Sequence, residues 1–180
     1  MVPENIVRWK DQVHTYLTSV RYGGDITDDL ILALIWQESS GNQWAYNPEP
    51  RYKWLWNVKT DKPYTLTTKA QLMMKIPPPD FPHLAGDKDQ EWWGQQASWG
   101  LLQIMGAAAR EQGFNGPYLT QLCDPYVNIE YATKHLYHYA SRENHFSIEE
   151  TLLRYNGGGN PDFANQVLSK QSQLSNERIS

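Results

Sequence analysis

The sequence predicts a mainly α-helical single domain, over residues 1–180, that carries a long irregular insert. Apolar residues recur at helical spacing between Leu30 and Ser39, and helix-start signals precede several segments in the second half of the chain. Over about 42–97 this periodicity is lost, and the proline run at 77–79 excludes a helix through that stretch. A chain of 180 residues is long enough to bury one hydrophobic core.

Two helices are predicted at the start of the chain. Residues 3–19 carry apolar side chains near helical spacing, and the glycine pair at 23–24 ends this unit. Thr27 is a suitable N-cap for the second helix, because its hydroxyl can accept a backbone hydrogen bond. Asp28 and Asp29 follow in the first turn, where negative charge complements the helix dipole. We therefore interpret them as helix-start residues rather than catalytic ones.

The insert and the segment after it each favour one short regular element. A hairpin is expected over 53–66, inside the insert. The alanine-rich segment 106–112 favours a helix, and Gly113 can end it because glycine adopts the left-handed conformation of a helix C-cap.

Three further helices complete the predicted fold, over about 124–142, over 147–156 and from 160 onward. An Asp-Pro pair opens the first of them in the N-cap and first-turn positions. A Ser-x-x-Glu capping box opens the second, and an Asn-Pro pair opens the third. The polar tail over 171–180 is expected to fray.

Glu38 ends the most apolar helical run, yet it faces the predicted core. Ile31, Leu34 and Ile35 precede it by seven, four and three residues, so all four side chains share one face of the helix. Burial disfavours a charged carboxylate and raises its pKa, so such an acid can donate a proton near neutral pH. The alternative is a structural carboxylate at a frayed helix end that pairs with a nearby Arg or Lys.

Composition argues against several classes of function. A net charge of −4 argues against nucleic acids or anionic membranes as the main partners. The five histidines are scattered without metal-ligand spacing, so we predict neither a metal nor another cofactor. A single cysteine, Cys123, excludes an internal disulfide. Neither a signal peptide nor a membrane span is recognisable, which predicts synthesis in the cytoplasm.

Aromatic residues are the compositional outlier, with 8 Trp and 11 Tyr. Their rings can pack an irregular subdomain, or they can present flat faces to a ligand such as a sugar. Both roles stay open, although Trp54 and Trp56 are the expected packing residues. The aromatic residues of the polar, proline-rich middle are Trp44, Tyr46, Tyr52, Trp54, Trp56, Tyr64, Trp92, Trp93 and Trp99.

Four segments occur in an order that is typical of one enzyme family. They are Glu38-Ser39, Ser98-Trp99-Gly100-Leu101-Leu102-Gln103-Ile104-Met105, Pro125-Tyr126-Val127-Asn128-Ile129 and Leu152-Leu153-Arg154-Tyr155-Asn156-Gly157-Gly158. Together they resemble the catalytic domain of soluble lytic transglycosylases, which are relatives of goose-type lysozymes. The resemblance covers about residues 25–168 and implies a mainly α, α+β lysozyme-like fold.

The chain departs from the family pattern at a few positions. Leu102 stands where the family usually has Met, Gly106 where it has Pro, and Arg154 and Gly157 where it has two alanines. These positions concern the substrate subsites more than the chemistry. The insert is also longer than is typical. In this length and in the absence of a leader the chain resembles the phage-encoded branch, whose members are endolysins or virion-associated lysins.

The resemblance implies cleavage of the β-1,4 bond between N-acetylmuramic acid and N-acetylglucosamine in peptidoglycan. Glu38 would first protonate the leaving oxygen and would then remove the proton of the muramic C6 hydroxyl. Attack of that oxygen on C1 gives a 1,6-anhydromuramic end and consumes no water. One carboxylate is sufficient when the 2-acetamido oxygen of the substrate attacks C1.

Further site residues are implied by the same resemblance. Tyr155 would hydrogen-bond Glu38 and the acetamido region, and Gln103 would bind the sugar beside the cut. Ser39, Gly100 and Asn128 would give structural support. The expected substrate-binding residues are Tyr155, Gln103, Met105, Ser98, Asn156 and Leu102.

Structural alternatives remain open for several of these residues. Tyr155 could be a core tyrosine, Gln103 a turn residue and Met105 a gap-filling side chain. Ser98 could cap its loop instead of contacting substrate.

Two rival functions also remain open. A muramidase that uses water would need a second carboxylate, for which the insert offers Glu49, Asp87, Asp89 and Glu91. A wall-binding virion component without turnover would use the aromatic insert as a glycan platform. In each case we expect a monomer that binds peptidoglycan glycan strands in the periplasm, reached through phage lysis or virion delivery.

Overall fold

Helices form most of the chain in the computed structural model, which describes residues 2–20, 26–50, 52–66, 77–141 and 146–177. The helices within these ranges are α1 (Glu4–Val7), α2 (Lys10–Ser19), α3 (Asp28–Ser39), α4 (Lys88–Gln95), α5 (Gly106–Glu111), α6 (Pro125–Ala140), α7 (Ile148–Tyr155) and α8 (Phe163–Glu177). A 3-10 helix spans Leu119–Cys123. The prediction of a mainly α fold with a small β component is confirmed.

Two small antiparallel sheets accompany the helices. The first has the strand order β1-β4-β5, and the second pairs β2 with β3. The strands are β1 (Tyr46–Pro48), β2 (Leu55–Asn57), β3 (Lys62–Tyr64), β4 (Ala97–Trp99) and β5 (Ile104–Met105). The β2–β3 pair is the hairpin expected over 53–66, with Leu55 opposite Tyr64. The three-stranded sheet places Ser98 opposite Met105.

The central helix of the fold is α3. Every residue from Leu30 to Ile35 is buried, because other helices surround this stretch. It packs most extensively on α8, and also on α2 and α1. The Thr27 hydroxyl accepts the Leu30 N–H at 3.2 Å, as its N-cap position predicted.

Three predictions of secondary structure differ from the structure. The helix expected over 3–19 is divided at Arg8 and Trp9, where both side chains turn to bond the carbonyl of Gly41. The insert, expected to lack helices, contains α4, which Asp87 caps by accepting the Gln90 N–H at 2.8 Å. The glycines at 23–24 and residue 142 lie outside the described ranges.

The third difference is the polar tail, which is helical as far as Glu177 instead of fraying from 171. Leu174 is buried against the core, and the Ser175 hydroxyl donates to Asp29 at 2.9 Å. A Glu177 carboxylate oxygen accepts the Val2 N–H at 2.6 Å. These contacts with the N-terminal part of the chain explain why α8 continues. In the part of the chain that is described, no helix is long and apolar enough to span a bilayer.

A buried ion pair joins the insert to the body of the protein. The Arg110 guanidinium donates twice to the Glu91 carboxylate, from Nε and from Nη2, each at 2.8 Å. Its Nη1 donates to the carbonyls of Phe114 and Gly116. Gln95 donates to the same carboxylate, at 2.8 Å. The side chains of Arg110 and Glu91 are 1% and 4% exposed. Each charge has lost its hydration by water, and its attraction to the other offsets that loss.

Gln95 extends this network to the hairpin. Its Oε1 accepts the Trp56 N–H at 2.7 Å, and its Nε2 donates to the Trp56 carbonyl at 3.0 Å. One helix side chain thus satisfies both backbone groups of a β2 residue. The contact fixes the hairpin against α4 and α5, beside a small second core formed by Leu55, Phe81, Trp92 and Ala107.

We predict that Arg110→Ala lowers the free energy of unfolding by about 3–5 kcal/mol, because it leaves the Glu91 carboxylate buried without a partner. Urea denaturation monitored by tryptophan fluorescence measures this change. Lys88→Ala is the control, since the Lys88–Asp89 pair is exposed and should contribute at most about 1 kcal/mol. Equal, small losses for both variants would contradict the structural role assigned to Arg110.

Candidate active site

A cleft of about 1160 Å³ lies where the end of α3 meets the insert, the β4–β5 loop, α6 and α7. It contains acidic, amide, hydroxyl, aromatic and basic side chains, so it suits a polar ligand with apolar faces. The residues that line it are Glu38, Asn47, Glu49, Pro50, Tyr52, Lys53, Trp54, Ser98, Gln103, Ile104, Met105, His135, Tyr139, Arg154, Tyr155, Asn156, Gly157 and Gly159.

Glu38 is held in the cleft because the end of its helix is firmly anchored. Ser40 and Gly41 both adopt left-handed backbone conformations, with φ of 51° and 79°, and so end α3. The Gly41 carbonyl accepts hydrogen bonds from Trp9 Nε1 at 3.1 Å and from Arg8 Nη2 at 3.0 Å. The divided first helix therefore fixes the turn that directly follows Glu38.

The environment of the Glu38 carboxyl favours its neutral form. Burial, and secondarily the negative charge of Glu49, raises the pKa of Glu38 from 4.5 to about 7. The structural alternative required an Arg or Lys partner for this carboxyl. Within the described ranges the carboxyl has no such partner and forms no hydrogen bond. A carboxyl with a pKa near 7 can both donate and accept a proton at neutral pH.

Tyr155 is a neighbour of Glu38 in the cleft. Its hydroxyl donates to the Leu102 carbonyl at 2.7 Å, so its single proton is not available to Glu38. A phenol oxygen can still accept a bond from a protonated carboxyl. Burial, together with the charges of Glu38 and Tyr139, raises the pKa of Tyr155 well above 10, so the phenol stays neutral. The Tyr155 hydroxyl therefore donates to the backbone, and the expected bond with Glu38 would need the carboxyl as its donor.

Gln103 has a strained backbone in the loop between β4 and β5. Its φ of 47° lies in the left-handed region, which costs a residue with a side chain about 1–2 kcal/mol. Its Nε2 donates to the carbonyls of Gly100 at 2.9 Å and Ala45 at 3.2 Å, and its Oε1 accepts from the Ser98 hydroxyl at 3.0 Å. The amide is thus held rigidly at the cleft wall, with one oxygen lone pair left for a ligand.

Asn128 supports this loop from inside the core. Its Oδ1 accepts the Leu102 N–H at 2.8 Å, and its Nδ2 donates to the carbonyls of Trp99 and Leu122, both at 2.8 Å. A Cβ on Gly100 would lie 2.3 Å from Asn128 Nδ2, and the φ of Gly100 is +70°. Only glycine fits both the close approach and the left-handed conformation.

The structure places most of the predicted site residues in one cleft. Leu102 is an exception, because its side chain is 1% exposed in the core and only its backbone serves the site. Ser39 lies outside the lining, and its hydroxyl donates to the Ile35 carbonyl at 3.3 Å. The predicted residues that line the cleft are Glu38, Ser98, Gln103, Met105, Tyr155 and Asn156.

Several residues that line the cleft were not among those predicted from the sequence. His135 and Tyr139 follow Asn128 by seven and eleven positions, so helical spacing alone could have placed all three on one face of α6. Tyr52 and Lys53 come from the irregular part of the insert, where no periodic signal exists.

The aromatic residues of the insert divide into buried and exposed side chains. Trp92 and Trp99 are buried and pack the core, whereas Trp44 is 70% exposed. Trp54 was expected to pack, but it is 69% exposed and lines the cleft. Trp56 is half-buried, and its Nε1 donates to Asp61 at 3.1 Å.

Of the four acidic residues considered as a second carboxylate, only Glu49 lines the cleft. Asp87 caps α4, and Asp89 pairs with Lys88. Glu91 is occupied by Arg110 in the buried ion pair. Within the described ranges, the cleft included, no group of three or more His, Cys, Asp or Glu side chains is arranged to hold a metal ion.

Comparison with known protein families gives one clear match. A family model described as "Transglycosylase SLT domain" matches residues 19–178. The chain therefore belongs to the SLT transglycosylase family, and its fold is the mainly α, α+β lysozyme-like fold that the sequence predicted. The family supports a transglycosylase-type function that acts on peptidoglycan. Comparison with curated proteins and with solved structures finds no significant match.

We predict that Glu49→Gln lowers the pKa of Glu38 below about 7, because it removes a negative charge that disfavours the ionised carboxyl. The pKa should stay above 4.5, since burial is the larger cause of the shift. A carbon-13 NMR titration of the glutamate carboxyls measures this value. Glu149→Gln, on the exposed start of α7, is the control and should leave the value unchanged. An unchanged pKa in Glu49→Gln would show that the Glu49 charge does not reach Glu38.

Proposed function

We propose that this protein is a peptidoglycan lytic transglycosylase with Glu38 as its single general acid and base. The enzyme would cleave the β-1,4 bond between N-acetylmuramic acid and N-acetylglucosamine. The observation that carries the proposal is the Glu38 carboxyl, which lies in a cleft large enough for a glycan and has a pKa raised to about 7. Membership of the SLT family supports the same class of substrate.

In the first step, protonated Glu38 gives its proton to the glycosidic oxygen, and the bond from that oxygen to C1 of the muramoyl residue breaks. The 2-acetamido oxygen of that residue attacks C1 and takes up the developing positive charge. The N-acetylglucosamine end leaves as a neutral hydroxyl, and Glu38 becomes a carboxylate. An acid with a pKa near 7 is suited to this transfer, because an ordinary glutamate would already be ionised.

In the second step, the Glu38 carboxylate removes the proton from the muramic C6 hydroxyl. The C6 oxygen attacks C1, the bond from C1 to the acetamido oxygen breaks, and the 1,6-anhydro ring closes. Glu38 is then protonated again for the next cycle. No water is consumed. The burial that raises the Glu38 pKa also limits water in the site, which favours attack on C1 by the C6 hydroxyl over attack by water.

We assign supporting roles to five other lining residues. Tyr155 is a neutral phenol beside Glu38. Its oxygen can accept a hydrogen bond from the protonated Glu38 carboxyl. Gln103 and Ser98 form a fixed polar pair for the sugar beside the cut, through the free lone pair of the glutamine oxygen. Met105 and Asn156 line the cleft beside them and complete the proposed contacts.

Hydrolysis is the second candidate reaction, and Glu49 is the observation that favours it. Glu49 lines the cleft, and its charge is one cause of the raised Glu38 pKa, so two carboxylates face one site. A second carboxylate could activate water for attack on C1, as in an inverting glycosidase. The products would then carry reducing muramic ends.

A phage-type origin stays a prediction from the sequence.

We predict that digestion of purified peptidoglycan releases muropeptides with 1,6-anhydromuramic ends. Because the C6 hydroxyl replaces water as the attacking group, each product should be one water lighter in mass spectrometry than the corresponding hydrolysis product. Products with reducing muramic ends would contradict the lytic reaction and support the hydrolytic candidate.

Glu38→Gln is the control for that experiment, since an amide neither donates nor accepts the required proton. Cleavage should fall at least about 100-fold, while binding to intact glycan strands is retained. Glu149→Gln should digest peptidoglycan at the wild-type rate. Clearing by Glu38→Gln above a few per cent of wild type would show that another residue is the acid.

A further inference from the structure

A second cavity, of about 400 Å³, lies beside the cleft between the β2–β3 hairpin and the end of α5. The function proposed above does not use it. Its walls are mostly aromatic and aliphatic, with one basic and one acidic side chain. The lining residues are Tyr52, Lys53, Trp54, Leu55, Trp56, Pro63, Tyr64, Thr65, Leu66, Ala107 and Glu111.

The two cavities share one wall. Tyr52, Lys53 and Trp54 line both of them. Burial is the largest cause that raises the pKa of Tyr52, and Glu111 in the second cavity and Glu49 in the cleft add smaller effects, so this side chain has an acidic neighbour on each side. A ligand that occupies the cleft can therefore continue into the second cavity by crossing a single short segment of the insert.

Lys53 and Glu111 give the second cavity its chemical character. Lys53 is exposed, and its Nζ lies 4.8 Å from the centre of the Trp54 ring. Glu111 is exposed at the last residue of α5. In the described part of the chain neither side chain forms an ion pair, so a cation and an anion are both available beside apolar walls.

This combination fits a short peptide better than a sugar chain. A neutral glycan has no charged groups for Lys53 or Glu111 to bind. A peptide with free carboxylates and an amino group can place one charge on each side chain and its aliphatic parts against the aromatic walls. The muramoyl residue of peptidoglycan carries such a peptide as its stem. An extended tetrapeptide spans about 13 Å, so a stem can reach past the shared wall of Tyr52, Lys53 and Trp54.

We propose that the second cavity binds the peptide stem of the muramoyl residue held in the cleft. A stem carboxylate binds Lys53, and a stem amino group binds Glu111. This inference rests on the proposed function, because it requires peptidoglycan in the cleft. It gives the long insert a role in recognising stem-bearing strands over bare glycan.

The test compares two ligands that differ in the stem. Glycan strands with tetrapeptide stems are titrated against Glu38→Gln, which should bind without cleaving. The comparison ligand is the same strands after an amidase has removed the stems and the lactyl carboxyl groups left behind have been capped as neutral amides. The readout is the ratio of the two dissociation constants. Lys53→Gln and Glu111→Gln, each added to Glu38→Gln, should reduce the preference for stem-bearing strands by about 3- to 10-fold. Amidation of the stem carboxylates should abolish the effect of Lys53→Gln alone.

Matched controls are available on the same surfaces. Lys59 is exposed in the hairpin turn and Glu149 is exposed on α7, and neither lines either cavity. Lys59→Gln and Glu149→Gln should keep the preference of Glu38→Gln. The inference is overturned if bare strands bind as well as stem-bearing ones, or if Lys53→Gln and Glu111→Gln weaken both ligands equally. The second result would indicate a glycan subsite instead.

Failure of this inference is distinct from failure of the proposed function. Cleavage of peptidoglycan by the wild-type protein tests the function, whereas the binding ratio tests the second cavity without turnover. A wild-type protein that releases anhydro products yet shows no stem preference would retain the function and exclude the stem site.

Discussion

The loss of water around one carboxyl group is the constraint on which this account depends. Glu38 ends an apolar helix and lies at the cleft, and in the described part of the chain it forms no ion pair with Lys or Arg. Burial holds its pKa near 7, and the negative charge of Glu49 adds to the effect. The arrangement does not favour stability, because an ionised carboxylate would be better solvated on the surface. It does suit a group that must release and recover a proton in each catalytic cycle.

The surrounding structure keeps this carboxyl in place through buried polar contacts. The Gly41 carbonyl accepts bonds from Arg8 and Trp9, in the turn between α1 and α2, which fixes the end of α3. Asn128 satisfies three backbone groups of the loop regions beside the cleft, and the strained Gln103 is held by its own side-chain bonds. The Arg110–Glu91 pair fixes the insert in position on the body of the protein. Asn128, Arg110 and Glu91 are buried with hydrogen-bonded partners, and Gln103 is half-buried; these directional contacts specify a geometry that apolar packing alone would not.

Sequence patterns predicted the helices with clear caps and the position of Glu38, whereas the resemblance to the family implied the other predicted residues of the cleft. Glu38 could be placed because apolar spacing fixes the face of α3, and the caps at Thr27 and Ser147 are local signals. The helix α4 was missed because its Trp, Gly and polar residues give no apolar period, and its stability comes from the buried Glu91 and Trp92. Trp54 and the second cavity could not be predicted, since they depend on how an irregular segment folds back on α5. Tyr155 was expected to hydrogen-bond Glu38, but the sequence could not show that the Leu102 carbonyl would accept the single proton of its hydroxyl.

Comparing the unfolding free energies of the wild-type protein and Glu38→Gln across pH 4 to 8 tests the central claim most directly. In the unfolded chain Glu38 should ionise near 4.5, whereas the folded state holds its proton until about 7. The folded state thus binds more protons between these values, and the wild type should lose stability relative to Glu38→Gln as the pH rises through this window. The account predicts a relative change of up to about 3 kcal/mol. Parallel curves for the two proteins would show that the carboxyl is well solvated, and would contradict the account.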